Sequence, residues 1–81
     1  MIEDIKDAKK TVGVRQSQKA VAGGLVRRAY VASDASDKVR LPFINLCREH
    51  NVEIEMVESM GLLGEICGIE VGAAVAAVID S

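Results

Sequence analysis

A chain of 81 residues has room for one hydrophobic core, which excludes two independently folding halves. Nearly half of its residues are apolar, yet Tyr30 and Phe43 are its only aromatics, so the core is aliphatic and alanine-rich. The net charge of −2 excludes bulk attraction to a polyanion, but the charge is unevenly spread. Residues 1 to 28 carry Lys6, Lys9, Lys10, Arg15, Lys19, Arg27 and Arg28 against Glu3, Asp4 and Asp7, whereas residues 29 to 81 carry nine acids against Lys38, Arg40 and Arg48. A split of this kind can present one attractive face to phosphate while the rest of the surface repels it.

In chain order, Ile2, Ile5 and Ala8 recur at helical spacing and predict a short amphipathic helix over residues 2 to 10. Thr11 to Val14 reads as a brief strand, and Arg15 to Ala22 as a helix closed by Gly23 and Gly24. Leu25 to Ala32 is rich in strand formers and ends at Ser33-Asp34-Ala35-Ser36, a cluster of turn residues. Pro42 suits the first turn of a helix in which Phe43, Leu46 and Cys47 share a face and which stops near His50-Asn51. Val52, Ile54 and Met56 alternate with Glu53 and Glu55, predicting a half-buried strand with its odd-numbered face in water. Ser59 is placed to cap a helix through Cys67, with Leu62, Leu63 and Ile66 inward and Gly68 at the left-handed exit. Ala73 to Ile79 has no polar face and reads as a strand flanked by other strands. The alternation predicts an α/β chain whose single mixed sheet of four strands carries helices on both faces.

Catalysis finds little support. The only histidine, His50, falls at a helix C-terminus, where it complements the dipole, and no carboxylate pair or phosphate-loop pattern stands out. Cys47 and Cys67 lie at apolar helix positions with no Cys-x-x-Cys pair, so the expectation is two buried, reduced thiols and no metal or cofactor. The longest apolar tract, Gly72 to Ile79, is too short to cross a bilayer and no leader pattern opens the chain, so a cytoplasmic protein with no membrane partner is expected.

The stretch Gly13-Val14-Arg15-Gln16-Ser17-Gln18-Lys19 is the informative one. Glycine lets the backbone turn tightly into a helix whose first N–H groups face outward toward phosphate oxygens. Arg15 can donate a fork of hydrogen bonds to guanine, Gln16 can donate and accept, and Lys19 adds a point charge one turn later. The same residues would serve as an ordinary polar helix start, and spacing alone leaves that alternative open.

Gly13-x-x-Gln16-x-x-Lys19 resembles the Gly-x-Asn-Glu-x-x-Lys signature of the kink-turn-binding ribosomal-protein family of the archaeal L7Ae type. Val31-Ala32-Ser33-Asp34-Ala35 is similar to that family's strand-ending segment, and Leu41-Pro42-x-x-x-Leu46-Cys47 to its Leu-Pro-x-Leu-Cys helix with the Leu-Cys pair displaced by one residue. Val57-x-Ser59-x-x-x-Leu63-Gly64-x-x-Cys67-Gly68 resembles its second RNA-contact loop and the helix that follows. The short Asp34 to Pro42 connection and the run Met56 to Met60 look most like the small bacterial YbxF-type members.

The resemblance implies a three-layer α/β/α sandwich, residues 1 to 81 forming one domain that clamps a kinked RNA helix at tandem sheared G·A pairs. Carried over, the first reading element is Gly13, Val14, Arg15, Gln16 and Lys19, and the second is Val57, Glu58, Ser59 and Met60, which covers looped-out nucleotides. Arg15 and Gln16 stand where the family has Asn and Glu, which keeps base-edge donors and adds charge. Met60 with Gly61 stands where many members have a basic or polar pair. Without the resemblance, Val57 and Met60 read as plain core or edge residues. The implied partner is a structured RNA, ribosomal or a messenger leader, bound by a monomer. The alternative is a protein-interaction adaptor on the same fold, which the acidic bulk of the surface would suit.

Overall fold

The computed structural model describes residues 9–79 of the chain. Within them the order is β1 (Lys10–Val12), α1 (Val14–Ala22), β2 (Val26–Ala32), α2 (Asp37–Glu49), β3 (Glu53–Val57), α3 (Met60–Cys67) and β4 (Val75–Ile79). Most of the helix expected over residues 2 to 10 lies outside the described residues, and Lys10 itself opens β1.

The strands form one mixed sheet in the order β1-β4-β2-β3, antiparallel except for the β2–β3 pair. β4, which has no polar face, therefore runs between β1 and β2 and needs none. Ala29, Ala76 and Ala77 are fully buried there, and side chains this small let helices approach both faces closely. On one face α1 and α2 bring Val21, Phe43 and Cys47 against Ala29, Val31 and Val75. On the other α3 brings Leu63 and Cys67 against Tyr30, Ala32, Val57 and Ala76. The result is the α/β/α sandwich, and full burial of a side chain such as Phe43 or Leu63 contributes about 1.5–3 kcal/mol.

Three local expectations are corrected. Pro42 does not open α2. The helix begins at Asp37, where extended Ser36 precedes it and Asp37 complements the dipole while pairing with Arg40. Pro42 falls in the second turn, at an exposed position, where it cannot donate to the Lys38 carbonyl. In β3 the inward order reverses at the end: Met56 is 47% exposed and Val57 is 2% exposed. The odd-numbered face is covered by α3 at that point, so it is wet only further back, where Glu53 and Glu55 meet Arg28. Lastly, Leu62 is exposed rather than inward, leaving Leu63 and Cys67 to anchor α3. Ser59 caps that helix as expected, its Oγ accepting from the Leu62 N–H at 3.0 Å, and Gly68 ends it in the left-handed conformation.

Candidate nucleic-acid interface

The two segments singled out by sequence, residues 13–19 and 57–60, meet at one end of the sheet. Gly13 leaves β1 with φ 101° and ψ 160°, a conformation that side-chain-bearing residues rarely adopt, and its N–H donates to the Val75 carbonyl at 2.9 Å. Beside Val75, the Ala74 carbonyl accepts from the Ala32 N–H at 2.8 Å, and the Ala73 N–H donates to the Met60 carbonyl at 3.0 Å. The Ser33 N–H donates to the Val57 carbonyl at 2.7 Å. The start of α1, the start of β4, the exit of β2 and the start of α3 are thus laced together by main-chain bonds.

The two helix starts differ in what they offer. At α1 the N-cap is glycine with no side-chain cap, and the first turn carries no acid. Its leading amides are free to meet an anion, and the dipole favours one there. Behind them Ser17 is fully buried with its hydroxyl 2.9 Å from Thr11 Oγ1, which holds α1 onto β1 and turns Arg15, Gln16 and Lys19 outward, all three exposed. Val14 is half-buried and packs against the core beneath. At α3, by contrast, two of the leading amides are already taken by side chains. Asp34 Oδ1 accepts from the Met60 N–H at 2.8 Å and Ser59 Oγ from Leu62, while Glu58 lies exposed alongside. That end presents carboxylates and apolar groups rather than donors, so it suits uncharged surface and not phosphate.

Of the second segment, Val57 is in the core with Ala32 and Leu63, and Met60, 38% exposed, supplies its apolar surface. Sequence reasoning missed two neighbours of the α3 start, Asp34 and the Val71–Gly72 stretch. Asp34 reads in sequence as a turn former and part of the strand ending, since nothing in the spacing ties it to a residue so distant in the chain. Val71, 71% exposed, precedes Gly72, which packs against Met60 so closely that a Cβ there would lie 3.4 Å from it. The chain reaches this position because Gly64 lacks a Cβ: one built on it would fall 2.0 Å from the Val71 carbonyl oxygen. Arg40 steadies the same end by donating to the Ser33 carbonyl at 3.2 Å.

Among the described residues the charge asymmetry of the sequence does not become one basic face. Arg28 pairs with Glu53 at 3.3 Å, and its pKa is raised by Tyr30 and then Glu53. Both Arg27 and Arg28 sit near the start of β2, away from Gly13. Cys47 and Cys67 are free and buried, and loss of solvation pushes the Cys47 thiol up to about 11 and the Cys67 thiol in the same direction. His50 is exposed at the C-cap of α2. Among the described residues no cluster of metal-binding side chains occurs, and no helix is long and apolar enough to cross a membrane.

Comparison with known proteins agrees with this architecture. The chain is 41% identical over 69 residues to an RNA-binding protein of Caldanaerobacter subterraneus subsp. tengcongensis, spanning 85% of this chain and 84% of that one. It is 32% identical to the RNA-binding protein YbxF of Geobacillus stearothermophilus, over 93% of this chain and 92% of that one. In fold it is similar to the Giardia lamblia 15.5kD RNA binding protein, with a TM-score of 0.88 and 22% identity over 99% of this chain and 71% of that one. Residues 3–81 match the Ribosomal protein L7Ae/L30e/S12e/Gadd45 family, and the chain belongs to it.

Proposed function

We propose that this chain is an RNA-binding module that recognises kink-turns, reading the tandem sheared G·A pairs with the start of α1 and covering unstacked nucleotides with the apolar edge at Met60 and Val71. The observation that carries the reading is the pairing, at one end of the sheet, of an uncapped helix start bearing Arg15, Gln16 and Lys19 with a carboxylate-capped one bearing exposed apolar groups. The first arrangement suits phosphate and base edges; the second suits a base face. Gly13 sets the approach, Val14 and Val57 support the two segments from beneath, and Ser59 fixes the α3 start while Glu58 keeps phosphate away from it. The names of the relatives support RNA as the partner class. The role is binding by a cytoplasmic monomer, with no catalytic step, on ribosomal RNA or a messenger leader.

A filter-binding titration of a generic kink-turn duplex against a duplex whose G·A pairs are replaced tests it. The intact RNA should bind at least about tenfold more tightly, the worth of one good base-edge contact. Equal affinity for the two would sink the kink-turn reading and bring forward a protein-interaction adaptor.

A further inference from the structure

The outer edges of α1 and α2 do not close on each other. Gln18, Lys19 and Ala22 stand three, four and seven residues after Arg15, so the four form one stripe along α1. Across from it Leu46 of α2 completes a groove of about 620 Å³, also lined by Gln16. The stripe starts at the RNA-reading end and runs about 10 Å away from it, at about 1.5 Å per residue. Among the described residues its lining holds two cations, two amides and an apolar floor of Ala22 and Leu46, with no carboxylate. Cations without acids call for an anionic occupant, amides donate and accept as base edges require, and the floor suits a flat apolar face. Continuity with the α1 start favours the same RNA over a separate protein.

We propose that this groove takes the single-stranded segment leaving the bound RNA past the α1 start. At most about three nucleotides fit the 10 Å path, counting the roughly 3.4 Å per nucleotide of a stacked duplex strand, and fewer if the strand is extended. Lys19, which faces the backbone of the paired RNA, leads the strand into the groove, Gln18 meets a base edge, and a base lies on Ala22 and Leu46. The inference rests on the kink-turn reading and extends it from the paired RNA to its flank.

Fluorescence anisotropy on the full chain tests the proposal with a blunt kink-turn duplex and with duplexes carrying three unpaired nucleotides at each strand end in turn. One of the extensions should tighten binding about fivefold, a modest share of what base stacking contributes on aromatic platforms. Gln18→Ala should lower that gain, and Ala22→Glu, an exposed helix position that tolerates Glu, should abolish it by like-charge repulsion. Both variants should bind the blunt duplex as the wild type does. The assignment is overturned if no extension tightens binding, or if the gain survives intact in both variants, which would leave the groove to a protein partner. Blunt RNA with its G·A pairs replaced, titrated alongside, scores the kink-turn reading separately.

Discussion

Arg15, Gln16 and Lys19 are exposed on a helix start with no side-chain cap, and under the proposed reading their chemistries divide the work of recognition. Arg15 and Gln16 carry base-edge donors, so truncating either to Ala should cost about 1–3 kcal/mol on an intact kink-turn and less where the G·A pairs are replaced. Lys19→Ala should instead weaken all RNAs nearly alike and flatten the salt dependence by about one unit. Met60→Ala and Val71→Ala should lower affinity without changing the salt slope, because the carboxylates of Asp34 and Glu58 beside them keep phosphate off that edge. Binding isotherms at several salt concentrations separate the two classes. Cys47 makes a residue-scale prediction of another kind. Its folded thiol is raised from the ordinary value of 9.0 to about 11, so above pH 9 the unfolded chain gives up the proton that the folded one retains. Stability is therefore fully present below pH 9 and falls between pH 9 and about 11, and urea midpoints across that window should show the decline weakened in Cys47→Ala. Rapid labelling of both thiols in the native protein by a water-soluble reagent would contradict their burial.

At the scale of elements, α3 separates two glycines that look alike in sequence. A Cβ on Gly64 would meet the Val71 carbonyl oxygen at 2.0 Å, so Gly64→Ala must push the Val71–Gly72 backbone off the helix. It should lose about 1–3 kcal/mol of stability in urea unfolding and weaken RNA binding through the displaced Val71. A Cβ on Gly61 meets nothing closer than Ser59 Oγ at 3.9 Å, so Gly61→Ala should stabilise by about 0.5 kcal/mol through helix propensity alone. Sequence shows both as helix weakeners and cannot tell them apart, because the difference lies in a contact across the chain. The same limit explains the other misreadings. The alternation of β3 is legible up to Ile54, but its reversal at Met56 and Val57 depends on α3 crossing the strand's far end. Pro42 marks a helix correctly and its start wrongly, since an exposed proline is tolerated in a second turn once Ser36 and Asp37 have begun the helix. Elements whose signal is local were readable: the Gly13 turn, the Ser59 cap, the Gly68 exit and the apolar β4 strand. The α1 part of the candidate interface was readable for that reason. Asp34 and the Val71–Gly72 stretch were not, because only the fold brings Asp34 and Gly72 to Met60.

Over the whole molecule the issue is how many charges an RNA meets. The sequence shows a basic first third, and if it all faced one way the salt dependence would be steep. Among the described residues the fold divides it: Arg28 is spent on Glu53 and Glu55, Lys9, Lys10, Arg27 and Arg28 lie toward the end of the sheet opposite Gly13, and of these basic residues Arg15 and Lys19 share the outer stripe of α1. The reading end itself holds Asp34 and Glu58, and the net charge is −2. Each phosphate neutralised on duplex RNA steepens log K against log salt by roughly 0.9, taking the duplex DNA value as a guide, so two cations predict a slope near about −2. Non-specific affinity should be correspondingly poor, since bulk attraction supplies most of it and this surface supplies little. Discrimination between a kink-turn and a plain duplex should therefore stay nearly constant from low to physiological salt, because little of either affinity is electrostatic. A measured slope near about −6 would mean that Arg27, Arg28 and other basic residues also reach RNA. That result would require an RNA path along the length of β2, and the end-on mode of binding would have to be abandoned.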